Sequence, residues 1–152
     1  MELFALKQKP EYLDQVAEWL YLEWGIKTAG SSRATVCEKL ETFNNIDKIP
    51  INYVALNGEK LVGTFNLMLF DPPTRRDLSP WLGSLYVEPT YRNRGIGTFL
   101  VNAAVAKAKN FKIKKLYLCT STQEKMYAKL GWEVIDEVDF RDERVLIMEI
   151  ST

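Results

Sequence analysis

The run Val87-Glu88-Pro89-Thr90-Tyr91-Arg92-Asn93-Arg94-Gly95-Ile96-Gly97 concentrates the chemistry this chain can offer. Its apolar start reads as the end of a strand, and Pro89 cannot continue a ladder. An apolar pattern of helical period follows. Gly95 and Gly97 carry no Cβ, so ligand atoms can approach the main chain closely there. The first N–H groups of a helix lack internal partners and lie at the positive end of its dipole. Such a loop suits a diphosphate laid across the amides of Asn93, Arg94, Gly95, Ile96, Gly97 and Thr98. Arg92 and Arg94 stand nearby as charge partners. The same spacing also occurs in a plain strand-to-helix turn.

Several other phosphate-binding devices are excluded by their own requirements. A Walker loop needs Gly-x-x-x-x-Gly-Lys followed by Ser or Thr, and the chain has no such string. A dinucleotide fingerprint begins well at Gly95 and Gly97, but Leu100 stands where its third glycine belongs. Residues 111–119 hold no acidic side chain to bind a ribose. The chain has no histidine, which removes every Ser-His or Cys-His mechanism and every His-ligated metal. Cys37 and Cys119 show neither metal spacing nor a disulfide framework and read as free thiols in a reducing compartment, packed as small hydrophobes. No metal is expected.

The elements that position this loop follow from periodicity and punctuation. Residues 2–6 read as an edge strand. Pro10 opens a helix carrying Leu13, Val16, Ala17, Leu20 and Trp24 and ended by Gly25. Ser31 and Ser32 cap a second helix with Val36, Leu40 and Phe43 on its apolar face. Residues 51–56 and 60–70 form strands joined through Asn57-Gly58, and the proline-rich 71–80 stretch is a loop. Residues 81–87 make a strand, and Gly95 to Asn110 a helix burying Ile96, Phe99, Leu100, Ala103 and Ala104. Leu116 to Cys119 is a strand, Thr122 to Leu130 a helix capped by Gly131, and residues 132–138 and 144–150 an antiparallel pair. The strand–helix–strand unit over 81–119 favours a right-handed crossover with parallel strands. The expected architecture is α/β in the α+β sense: a mixed, mostly antiparallel sheet with one central parallel pair and helices on both faces, in a single domain over 1–152.

With those elements in place, Arg92-Asn93-Arg94-Gly95-Ile96-Gly97 resembles the Gln/Arg-x-x-Gly-x-Gly/Ala signature of the GNAT superfamily of N-acetyltransferases. Leu85-Tyr86-Val87-x-Pro89-x-Tyr91 precedes it, as is typical of that family. A second block, Met126-Tyr127-Ala128-Lys129-Leu130-Gly131-Trp132, is similar to the family's Tyr-x-x-Leu-Gly-Phe segment. The resemblance implies acetyl-coenzyme A as cosubstrate and strands 81–87 and 115–119 that splay apart. Its pantetheine arm would then pair with main-chain groups near Leu85, Tyr86 and Val87. The Val87 N–H would be the oxyanion donor. Tyr127 would contact the cofactor and protonate the leaving thiolate. Thr120 stands where many relatives have Asn and would offer a hydroxyl to the pantetheine. Transfer would be direct, without an acetyl-enzyme.

The acceptor implied is a primary amine of a small molecule or peptide, which must lose a proton before attack. At an amine pKa near 10.4 that step corresponds to roughly 4 kcal/mol at neutral pH. Without histidine the base must be a carboxylate, a tyrosine or a held water. Glu23, Asp71, Asp77 and Glu88 are the open choices. A silent coenzyme A-binding regulatory module and an enzyme with a different acyl donor are the alternative functions.

Composition bounds the rest. A chain of 152 residues and 17.5 kDa fits one domain. Its 47% hydrophobic content supplies a core, and 20 basic against 20 acidic residues give no basic excess for nucleic acid. Lys112, Lys114 and Lys115 read as solvated surface. With neither a leader pattern nor a membrane-length apolar run, the expectation is a cytoplasmic monomer or homodimer without membrane association.

Overall fold

The computed structural model describes residues 1–71, 75–140 and 142–152. Residues 72–74 of the expected 71–80 loop therefore lie outside the described residues. Seven strands form one mixed sheet: β1 (Glu2–Ala5), β2 (Ile51–Asn57), β3 (Lys60–Met68), β4 (Trp81–Val87), β5 (Lys115–Thr120), β6 (Glu133–Phe140) and β7 (Glu143–Ser151). Their order is β1-β2-β3-β4-β5-β7-β6. The helices are α1 (Leu13–Glu23), α2 (Arg33–Glu41), α3 (Ile96–Asn110) and α4 (Glu124–Lys129). The parallel pairing joins β4 to β5 at Trp81↔Tyr117. β1 with β2, β5 with β7 and β6 with β7 are antiparallel. Contacts group the chain into two units, Met1–Asn66 with Ser84–Leu100, and Leu67–Gly83 with Val101–Thr152.

In the first unit the core lies between α1, α2 and the sheet. Val16, Ala17, Trp19 and Leu20 of α1 and Leu40 of α2 pack with Val54, Leu56 and Leu61. Ser32 fixes the start of α2 by a reciprocal pair: its Oγ accepts from the Thr35 N–H at 3.1 Å, while Thr35 Oγ1 accepts from the Ser32 N–H at 2.8 Å. Phe43 is buried beyond the end of α2 rather than on it. Pro10 opens a 3-10 turn, Pro10–Tyr12, before α1 begins at Leu13. Gly58 takes φ 64 in the tight turn between β2 and β3. Ile96 and Leu100 of α3 lie over Gly63, where a Cβ would stand 2.8 Å from Leu100 Cδ1.

The second unit is built on the β5-β7-β6 ladder. Leu116 and Leu118 of β5 and Val145, Ile147 and Met148 of β7 are buried with Trp81 and Leu82. Val101, Ala104 and Ala108 of α3 are buried too, whereas Ala103 is only half covered. Arg75 joins Asp77 to Asp136 of β6. The Arg75 hydrogen bond holds the Asp77 carboxyl below its ordinary pKa. For Asp136 the Glu137 N–H lowers it first and Arg75 second. No helix among the described residues is long and apolar enough to cross a membrane.

Candidate functional site

The expected phosphate loop lies wholly in the first unit, between the end of β4 and the start of α3. Glu88 opens it by capping the turn Pro89–Tyr91, its Oε2 accepting from the Thr90 N–H at 2.9 Å and from the Thr90 hydroxyl. That hydroxyl holds the Glu88 carboxyl below its usual range. Asn93 then takes φ 63 and Gly95 φ 82. Left-handed residues alternating with ordinary ones turn successive N–H groups into one concavity, a form suited to anions. A Cβ built on Gly95 or Gly97 meets no heavy atom within 4 Å, so the space above both is open. α3 begins at Ile96, one residue later than the periodicity suggests.

Both arginines lie against tyrosine rings. Arg92 Nε donates to the Val87 carbonyl at 3.0 Å, and its guanidinium lies 5.2 Å from the Tyr86 ring centroid. Arg94 lies 5.2 Å from the Tyr91 ring. Both residues are exposed. Tyr86 of β4 is also flanked by Trp19 of α1 at 5.0 Å and by Trp24, just past the end of α1, at 6.5 Å.

β4 itself carries a local break that sequence reasoning missed. Ser84 takes φ 50 inside the strand, a conformation costly for a residue with a Cβ. Beyond it the Glu88 N–H donates to the Val62 carbonyl of β3 at 2.9 Å. Main-chain groups alternate sides along a strand. The Val87 N–H, one residue earlier, therefore points away from β3.

The remaining site residues belong to the second unit. Thr120 is buried at the end of β5, and its Oγ1 accepts from the Gln123 N–H at 3.0 Å, shaping the turn into α4. Tyr127, on α4, is 8% exposed and meets Trp132 edge-on at 6.0 Å. Burial pushes its phenol up to about 12, so it stays protonated at neutral pH. Gly131 at φ 98 ends this segment, and Trp132 Nε1 is buried without a hydrogen-bond partner. Cys37 and Cys119 are not joined by a disulfide and are half-buried rather than core residues. Burial and the Asp14 carboxylate raise the Cys37 thiol.

The four carboxylates left open as bases stand in different surroundings. Asp77 is held by Arg75, and Glu88 by Thr90. Glu23 is exposed at the last turn of α1. Asp71 is half-buried. Its Oδ2 lies 3.9 Å from Cys119 Sγ and 3.6 Å from the place a Cβ on Gly83 would take.

This fold is shared with solved acetyltransferases. An aminoglycoside 6'-N-acetyltransferase complexed with coenzyme A superposes with a TM-score of 0.75 at 20% identity, covering 99% of this chain and 97% of that one. The aminoglycoside 6'-N-acetyltransferase of Enterococcus faecium gives 0.73 at 21% identity, with the same coverage. The model of the acetyltransferase (GNAT) family matches residues 13–132, and the chain belongs to that family. In sequence it is 25% identical over 75 residues to a spermine/spermidine N(1)-acetyltransferase of Bacillus subtilis (strain 168), covering 46% of this chain and 49% of the relative. The match thus spans about half the length of that relative.

Proposed function

We propose that the chain transfers an acetyl group from acetyl-coenzyme A to a primary amine of a small molecule or peptide. The observation that carries this reading is the open space at the start of α3, where a Cβ on Gly95 or Gly97 would meet no heavy atom within 4 Å. Amides from Asn93 to Thr98 would hold the diphosphate there, at the positive end of a fifteen-residue helix. Arg94 adds charge from the rim. Arg92 contributes by bracing β4, since its guanidinium occupies the Val87 carbonyl.

When bound, the thioester supplies an already activated acyl group. Main-chain groups of Leu85 and Val87 would pair with the pantetheine arm, beside Tyr86. The Val87 N–H would receive the negative charge developing on the carbonyl oxygen. Thr120, its oxygen already accepting from Gln123, keeps one proton to donate to the arm. Tyr127 would give its proton to the departing sulfur, and its burial keeps that proton in place. No histidine or metal enters the scheme.

The names of the relatives point to polyamines and aminoglycosides, so both belong in the first panel. The test is thiol release from acetyl-coenzyme A with spermidine, an aminoglycoside and a lysine peptide, read beside calorimetric binding of coenzyme A. Binding with amine-dependent release supports an enzyme. Binding without release from any acetyl, propionyl or succinyl donor would make the chain a silent coenzyme A-binding module.

A further inference from the structure

Val87 ends β4, and Arg92 reaches back onto it from five residues further along. The turn Pro89–Tyr91 brings the chain round. Glu88 Oε2 accepts from the Thr90 N–H at 2.9 Å, and the Tyr91 N–H donates to the Glu88 carbonyl at 2.9 Å. Arg92 Nε then donates to the Val87 carbonyl at 3.0 Å. Its guanidinium lies 5.2 Å from the Tyr86 ring centroid, and Trp19 lies 5.0 Å from the same ring. Trp19 is buried in the core of the first unit, so Arg92 rests on an anchored ring. The Glu88 N–H donates to the Val62 carbonyl of β3. A trans peptide sets its C=O opposite its N–H, so the Val87 carbonyl faces away from β3, as the Val87 N–H does. The Val87–Glu88 peptide is thus held at both ends, by β3 and by Arg92. Every residue in this arrangement belongs to the first unit.

We propose that Arg92 is a positioning residue for acyl transfer, fixing the Val87 main chain so that its N–H meets the thioester oxygen. This rests on the acetyl-transfer reading. Val87 turns both a donor and an acceptor away from β3. A bare carbonyl there would repel an oxygen gaining negative charge. With the guanidinium on that carbonyl, its negative end is offset by a cation. The N–H then stands in a locally positive field. In the transfer, the neutral amine forms the C–N bond while the carbonyl pair moves onto oxygen. The pair returns, the C–S bond breaks, the amide nitrogen loses a proton and the thiolate gains one. Arg92 forms no bond and moves no proton. Its effect is greatest when the oxygen is charged, so it acts on turnover more than on donor binding. A guanidinium that served only the diphosphate would act on binding, and only with donors that carry one.

The experiment compares wild type, Arg92→Ala and Arg92→Lys with acetyl-coenzyme A and with S-acetylpantetheine, which has no diphosphate. The acceptor is the amine of the panel that gives the fastest thiol release. Coenzyme A affinity and thermal unfolding are measured on the same preparations. Arg92→Ala is expected to lower kcat with acetyl-coenzyme A about tenfold, with the coenzyme A Kd within about threefold. A deficit of the same size should appear in kcat/KM with S-acetylpantetheine. Arg92→Lys keeps the charge without the planar fork and should stay below about a third of wild-type kcat. A deficit confined to the coenzyme A Kd, or one that vanishes with S-acetylpantetheine, makes Arg92 a diphosphate contact and overturns the proposal. Full turnover in Arg92→Lys overturns it too, since charge alone would then suffice. If Arg92→Ala unfolds at the assay temperature, Arg92→Lys carries the same comparison of donors. Wild type that binds no coenzyme A and releases no thiol overturns the acetyl-transfer reading itself, and the role of Arg92 with it.

Discussion

At the scale of single residues, the roles proposed for Gly95 and Tyr127 rest on backbone conformation and on burial. Gly95 holds φ 82 with nothing above it. A glutamate there would be strained, would fill the open space and would bring a negative charge against a diphosphate. Gly95→Glu is expected to weaken coenzyme A binding by at least 10²-fold in calorimetry while circular dichroism stays unchanged. Wild-type affinity in that variant would remove the loop from the site. Tyr127 is buried so that its phenol remains an acid across the physiological range. Tyr127→Phe should lower kcat by about 10²-fold with the donor Kd within twofold. Equal turnover would transfer the acid role elsewhere. Arg92 acts differently, through the Val87 carbonyl and the Tyr86 ring. Lysine cannot reproduce a planar guanidinium on both partners.

At the scale of elements, local signals account for much of what forms, and tertiary context for the rest. The Ser32–Thr35 box satisfies N–H groups that α2 would otherwise leave open. Ser32→Ala is expected to cost about 1 kcal/mol. Amide exchange should then accelerate in the first turn of α2 before anywhere else; uniform acceleration would mean that the cap stabilises more than its own helix. The strand at 81–87, the hairpin turn at Gly58 and the cap at Gly131 were all legible, because each has a short-range cause in glycine, proline or alternation. Several features were not. The left-handed Ser84 has no local glycine or asparagine signal, so only the neighbours of β4 reveal it. The packing of Arg92 on the Val87 carbonyl and the Tyr86 ring was not legible, because spacing fixes where a residue stands and not where a long side chain turns. Ala103 read as a core position of α3, yet the buried stripe runs through Leu100, Val101, Ala104 and Ala108. Which neighbours cover a helix is decided by packing rather than by its own period.

At the scale of the whole molecule, two buried phenols tie stability to alkaline pH. Burial raises Tyr53 and Tyr127 to about 12, against about 10 in an unfolded chain. The unfolded state therefore loses these protons first as pH rises. Their contribution is fully present below about pH 10 and is lost between about 10 and 12, at roughly 3 kcal/mol per tyrosine. Urea midpoints should hold steady up to pH 10 and then fall. Tyr53→Phe and Tyr127→Phe should each flatten that fall, whereas an unchanged slope in both would assign the alkaline loss to other groups. The central claim, that main-chain nitrogens entering α3 grip the cofactor, is tested most directly by following backbone amide resonances while coenzyme A is titrated. The amides from Asn93 to Thr98 should shift together and saturate with a single Kd. Saturable binding that leaves those six amides unmoved would contradict the account.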